Sequence, residues 1–138
     1  MQSKPRQKRI RSPIQFVYFI RSENFVKIGW ATALDTRLCN CQINNPHPVE
    51  LLAMFRGGRE EEASLHGCFS PYHHRGEWFV YVEPIRELVG LIKGLDPIEA
   101  RITAGQWYFD YTGYGSLRPG MGVIDAMRGA EMEAANVR

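Results

Sequence analysis

Five side chains in the first half of the chain are of types that handle phosphate, protons or a divalent ion: Tyr18, Lys27, Arg37, Glu62 and His66. Arginine suits phosphate because its planar fork gives bidentate hydrogen bonds and stays charged. Glu62, Leu65, His66 and Phe69 fall at i, i+3, i+4 and i+7 and so share one helical face. Leu65 and Phe69 must point to the core, which sets Glu62 at the core's edge and leaves Glu60 and Glu61 outside. A hydrated Mg²⁺ needs only one or two carboxylates, because water and substrate phosphate supply its other ligands. A single well-placed Glu is therefore sufficient in principle, and Glu62 is the candidate. The ordinary reading of Glu62 is an acid in a solvated first turn, where the helix dipole favours it. Lys27 can hold phosphate, lower a neighbour's pKa or, if desolvated, act as a base. His66 can orient Glu62, take a proton or contact phosphate, or serve as a hydrogen-bonded structural histidine.

The elements that must carry these residues follow from the sequence pattern. Ile14 to Ile20 is dense in β-branched and aromatic residues and reads as a strand. Phe25 to Trp30 alternates with period two, and the short polar link Arg21–Asn24 predicts an antiparallel hairpin. A helix is expected from Thr32, as cap, to the Pro46/Pro48 stop, with Leu34, Leu38 and Cys41 on one face. Val49–Phe55 is a strand and Arg59–Phe69 a helix. Ser70–Gly76 is a loop, Glu77–Val82 a strand and Pro84–Leu95 an amphipathic helix. Beyond Asp96 the pattern weakens. Gln106–Gly115 is aromatic, punctuated by glycine, and reads as a short strand or hairpin. Gly120–Val137 holds a further possible helix. The expected class is α+β, a small antiparallel sheet of three to four strands flanked by helices in the order β-β-α-β-α-β-α. Three segments follow: a basic disordered arm over 1–13, a domain over 14–95, and a C-terminal extension over 96–138.

Composition bounds the function. The chain has 138 residues, 44% hydrophobic, with a net charge of +2, which suits one soluble domain and excludes collagen-like or wholly disordered structure. No apolar run approaches the roughly 20 residues that span a bilayer. The N-terminus lacks the apolar stretch of a secretory signal. Three cysteines do not make a disulfide framework. A cytoplasmic setting is the expectation. The small net charge conceals a division. Lys4, Arg6, Lys8, Arg9 and Arg11 are the charged residues of the arm, with no acid among them, so the arm carries +5 and the remainder −3. Such an arm is expected to bind nucleic acid through phosphate, or else to be a solubilising tail. Residues 14–95 hold 8 basic and 9 acidic groups, so the body meets a polyanion through a few placed cations, not through a basic slab.

Taken in order, Val17-Tyr18-Phe19-Ile20, Val26-Lys27-Ile28-Gly29, Arg37-Leu38, Glu62 with Leu65-His66, and Gly76-Glu77-Trp78-Phe79 form one constellation. It resembles the GIY-YIG nuclease superfamily. It is most similar to the phage-encoded branch whose second signature half reads Lys-Ile-Gly. The likeness covers roughly residues 14–92. Phe16-Val17 stands where the signature has Gly-Ile, and Lys27 where the superfamily name has its second Tyr. The resemblance implies a DNA endonuclease that hydrolyses phosphodiesters with one Mg²⁺ (or Mn²⁺), in a bacterial or phage-infected cell. It implies that Tyr18 positions or deprotonates the nucleophilic water, that Arg37 stabilises the transition-state phosphate and that Glu62 holds the metal. A phenol, ordinarily near pKa 10, needs nearby cations to act as a base, and Lys27 can supply that field. Glu77 is expected to pin a loop near the site, and Trp78 and Phe79 to be core.

Rival readings are a non-catalytic DNA-binding or regulatory module on the same fold, and a protein-interaction module working through the C-terminal extension. RNA in place of DNA stays open. Cys39-x-Cys41, His66-x-Cys68 and His73-His74 are soft metal ligands, but paired structural-zinc spacings are absent. Trp107-Tyr108-Phe109, Tyr111 and Tyr114 can stack bases or close the fold as a small apolar cluster.

Overall fold

Alternation along the first two strands decides what lies on each side of the sheet. In the computed structural model, which describes residues 13–113, Gly115 and Leu117, β1 (Phe16–Ser22) and β2 (Phe25–Ala31) pair as an antiparallel hairpin with Tyr18 opposite Gly29. There follow α1 (Leu34–Ile43), β3 (Glu50–Arg56), α2 (Arg59–Cys68), a 3₁₀ turn (Ser70–Tyr72), β4 (His73–Arg75), β5 (Trp78–Val80), α3 (Ile85–Ile92) and α4 (Pro97–Thr112). The class is α+β. The strands form one antiparallel sheet in the order β3-β1-β2-β5-β4.

Val17, Phe19, Val26 and Ile28 face the larger core with α2, α3 and α4. Tyr18, Ile20 and Ala31 face the opposite side, where Cys41, Leu34 and Leu38 of α1 cover them. The face predicted for α1 is therefore the one it buries. On α3, Ile85, Leu88, Val89 and Ile92 repeat at helical spacing and are all at most 2% exposed. Each such side chain stabilises the fold by about 1.5–3 kcal/mol.

The β2–β5 ladder is short. Pairing ends at Lys27 opposite Trp78. The next edge groups of β2 are met differently: Ile28 donates its N–H to Glu77 O (3.0 Å), and Ile28 O lies 2.7 Å from His66 Nε2. A loop and a helix thus replace a strand at this edge, so that groups from opposite faces of the sheet approach one another.

Several expectations are corrected. The sheet has five strands, because His73–Arg75, assigned to a loop, pairs with β5. Helix α1 starts at Leu34 with Ala33 as its cap residue, and no side chain caps it, so Thr32 does not act as cap. Gln106–Thr112 is neither strand nor hairpin but the end of the 16-residue helix α4. Asp96 caps that helix through Ile98 N and Glu99 N, and Gly113 ends it at φ 81°, in the left-handed region. Its Ala100, Ala104, Trp107 and Tyr108 lie in the same core as β1 and β2. Glu61 is not outside with the solvated acids: its side chain is 1% exposed and meets Arg101 of α4. The arm residues Lys4, Arg6, Lys8, Arg9 and Arg11, Tyr114 and the helix expected over 120–137 lie outside the described residues.

Glu61 Oε1 accepts the Gly58 N–H (2.7 Å), Oε2 accepts from Arg101 Nη1 (3.1 Å), and the same Nη1 reaches Arg56 O (3.0 Å). This contact ties α4 to α2 and β3. Arg101→Ala leaves a buried carboxylate without its cation. It should lower the free energy of unfolding by about 3–5 kcal/mol in urea titration; a loss under about 1 kcal/mol would show that α4 is not bound to the domain in this way.

Candidate active site

Gly29 is where the site begins. It sits opposite Tyr18 on the α1 side of the sheet, and a β-carbon there would collide with the Tyr18 hydroxyl and come within 2.9 Å of Glu77 Oε1. The missing side chain is what lets a phenol from β1 and a carboxylate from the β4–β5 turn share one space. From α1, Arg37 Nη1 donates to the Tyr18 hydroxyl at 3.4 Å, a long hydrogen bond. Glu62 arrives from α2, and its carboxyl neighbours that of Glu77. Four of the chain's elements thus place Tyr18, Arg37, Glu62 and Glu77 together at the unpaired edge of β2.

Electrostatics set the state of each group. Burial, then the proximity of Glu77 and a hydrogen bond shared with it, push the Glu62 carboxyl up to about 7; Arg59 and Arg37 pull the other way. Two carboxyls this close do not both ionise readily, because each destabilises charge on the other. Burial also raises the Tyr18 phenol above its ordinary value, and the Arg37 hydrogen bond only partly offsets it. Tyr18 is therefore a neutral phenol at neutral pH. Among the described residues the cation that lowers it is Arg37, and burial outweighs that pull.

His66 is anchored. A carbonyl only accepts, so the 2.7 Å contact with Ile28 O places the proton on Nε2. The ring edge also meets Phe79, with centroids 4.9 Å apart. Its Nε2 lies 3.9 Å from Glu62 Oε2, beyond hydrogen-bond reach. Glu62 Oε2 is buried with no hydrogen-bond partner among the described residues. Such an oxygen has the chemistry of a cation ligand or of an acid that keeps its proton. Glu62 and Glu77 offer hard carboxylate oxygens, which fit Mg²⁺ or Mn²⁺ retaining its waters. Among the described residues no group of three or more His, Cys, Asp and Glu forms a complete cage. The soft set does not gather either: Cys39 is exposed, Cys41 buried, and burial pushes the Cys68 thiol up to about 12.

Lys27 lies two residues before Gly29 on the same face of β2, and its charge acts on Cys41 of α1. The cation at Tyr18 is Arg37, not Lys27. Lys27 has no ion-pair partner among the described residues. Two contributors carried little weight in the sequence. Glu77, expected to pin a loop, places its carboxyl in the cluster itself. Arg59 precedes Glu62 by three residues on α2, a spacing that puts the two on one face.

No family model, curated protein or solved structure matches this chain.

The Glu62 shift has a consequence for stability. The carboxyl keeps its proton to about 7 when folded but only to 4.5 when unfolded. The native state binds more protons between those values, so stability falls as pH rises through that window. Glu62→Gln imitates the protonated acid and should flatten the fall. Urea titrations should find the variant the more stable by about 2 kcal/mol near pH 8 and nearly equal near pH 5. Parallel profiles for the two proteins would contradict the burial of this carboxyl.

Proposed function

We propose that the protein is a metal-dependent endonuclease of GIY-YIG type acting on DNA. The observation that carries the reading is the convergence of Arg37 and Glu77 on the Tyr18 hydroxyl, with Glu62 beside Glu77, at a strand edge next to a glycine. A phosphodiester is cleaved when a water oxygen bonds to phosphorus and the leaving oxygen departs. The charge that grows on the phosphate then needs fixed cations. In this reading Arg37 grips the phosphate, and Glu62, with Glu77 beside it, holds a divalent ion that would supply further positive charge. The water's proton passes to Glu77. Tyr18 is a positioning residue: it is fully buried and fixes the Arg37 guanidinium. Lys27 is placed to meet a neighbouring phosphate, and His66 holds the edge of β2 through which Glu62 reaches the site. One such centre cuts one strand.

A second reading has its own observation. Leu91, Ile98, Ile102 and Phe109 on α3 and α4 are each at least 50% exposed. Apolar residues gathered on neighbouring helices favour a protein-interaction role for the C-terminal part. This role is compatible with nuclease activity on the other side of the sheet.

The test is nicking of supercoiled plasmid with Mg²⁺. The native chain should nick, and activity should rise through about pH 7 as Glu62 loses the proton that competes with the metal. Glu62→Gln and Arg37→Ala should each lose at least about a hundredfold. Tyr18→Phe should cost less than about tenfold and leave the pH profile unmoved, whereas Glu77→Gln should shift it. Full cleavage by Glu62→Gln would overturn the assignment.

A further inference from the structure

We propose that the cavity between the β1–β2 turn and β4 is a subsite for one unpaired nucleotide, its base held by aromatic rings and its phosphate by Arg75. The proposal rests on the nuclease reading above and concerns a place which that chemistry does not use. The cavity has a volume of about 480 Å³, within the range of small-molecule sites. Its walls include Phe25, His74, Arg75, Trp78 and Asn45.

Three observations point to a nucleotide. First, aromatic planes are already aligned: the His74 imidazole lies on the Phe25 ring, centroids 4.3 Å apart and planes 27° from parallel. A base extends such a stack at no cost in sequence preference, since every base has a π-face. Second, Arg75 is exposed and has no salt-bridge partner among the described residues, so its fork is open to phosphate oxygens. Asn24 and Asn45 add amide groups to the lining, which suit the polar edge of a base. The acid there, Glu23, lies 3.4 Å from His47 Nδ1, so its charge has a partner when that histidine is protonated.

Third, the cavity is aligned with the candidate active site. Phe25, Lys27 and Gly29 occupy alternate positions on β2, and Trp78 faces Lys27 across the ladder. At about 3.3 Å per residue, Phe25 lies roughly 13 Å from Gly29 along one face, with Lys27 between them. A strand whose phosphates meet Arg37 and then Lys27 delivers its next nucleotide to the cavity. A base within a duplex cannot stack there, so the preferred substrate carries an unpaired or extruded nucleotide near the cut.

The experiment uses the full chain and two probes, deoxyadenosine monophosphate and deoxyribose 5-phosphate, followed by amide chemical shifts. The monophosphate should shift Phe25, Asn45, His74 and Arg75 and bind at least about tenfold more tightly than the base-free sugar phosphate. Arg75→Ala and His74→Ala, both at exposed positions, should keep the native thermal midpoint and each weaken the monophosphate by about tenfold. Equal affinity for the two probes, or shifts that bypass the cavity, would overturn the proposal. Plasmid nicking by the same samples reports separately. Nicking without cavity shifts removes the subsite alone, and cavity shifts without nicking remove the nuclease reading alone.

Discussion

The feature on which the rest of the site depends is the Glu62 carboxyl, which is mostly out of water, beside a second carboxyl, with one oxygen unpartnered. Such a group is costly to bury as an anion. A proton or a cation relieves that cost. Arg37 and Arg59 lower the cost of the anion without removing it. His66 does not relieve it, because its Nε2 proton is directed to Ile28 O.

The fold creates this situation through small backbone decisions. β5 is three residues long, so the edge of β2 beyond Lys27 is left to a loop carbonyl and a histidine. At that opening Glu62 of α2, packed on one side of the sheet, feels the charge of Arg37 of α1 on the other. Gly29 clears the room for the Tyr18 hydroxyl and Glu77. The neighbouring acid Glu61, one residue earlier, is turned the other way and neutralised by Arg101. Adjacent glutamates thus differ: Glu61 has a cation built in, whereas one Glu62 oxygen has no hydrogen-bond partner among the described residues.

Much of the sheet and its helices was legible, because strands β1 to β3 and the helices α2 and α3 obey simple periods. The α1 face of Leu34, Leu38 and Cys41 was legible for the same reason. Helix α4 was not. Exposed Ile98, Ile102, Phe109 and Tyr111 spread apolar character around it, and its buried face begins with two alanines. Its ends were nonetheless written in Asp96-Pro97 and Gly113. Strand β4 was hidden because His73–Arg75 is polar and exposed at all three positions. At the site, helical spacing alone set Glu62 at the core's edge, while its reading as a metal ligand and that of Arg37 as a phosphate ligand came only from the family resemblance. The state of Tyr18 was not legible, since burial outweighs the arginine beside it. Nor was the inward turn of Glu61, because three consecutive acids look alike until Arg101, 40 residues later, selects one of them.

The central claim is that Glu62 marks a cation site whose competing occupant is a proton. Its most direct test is the unfolding free energy near pH 8 with and without Mg²⁺, for the native chain and for Glu62→Gln. The account predicts that Mg²⁺ at ten times its dissociation constant stabilises the native chain by about 1.4 kcal/mol, and that the variant gains nothing. Equal stabilisation of both proteins, or of neither, would contradict it.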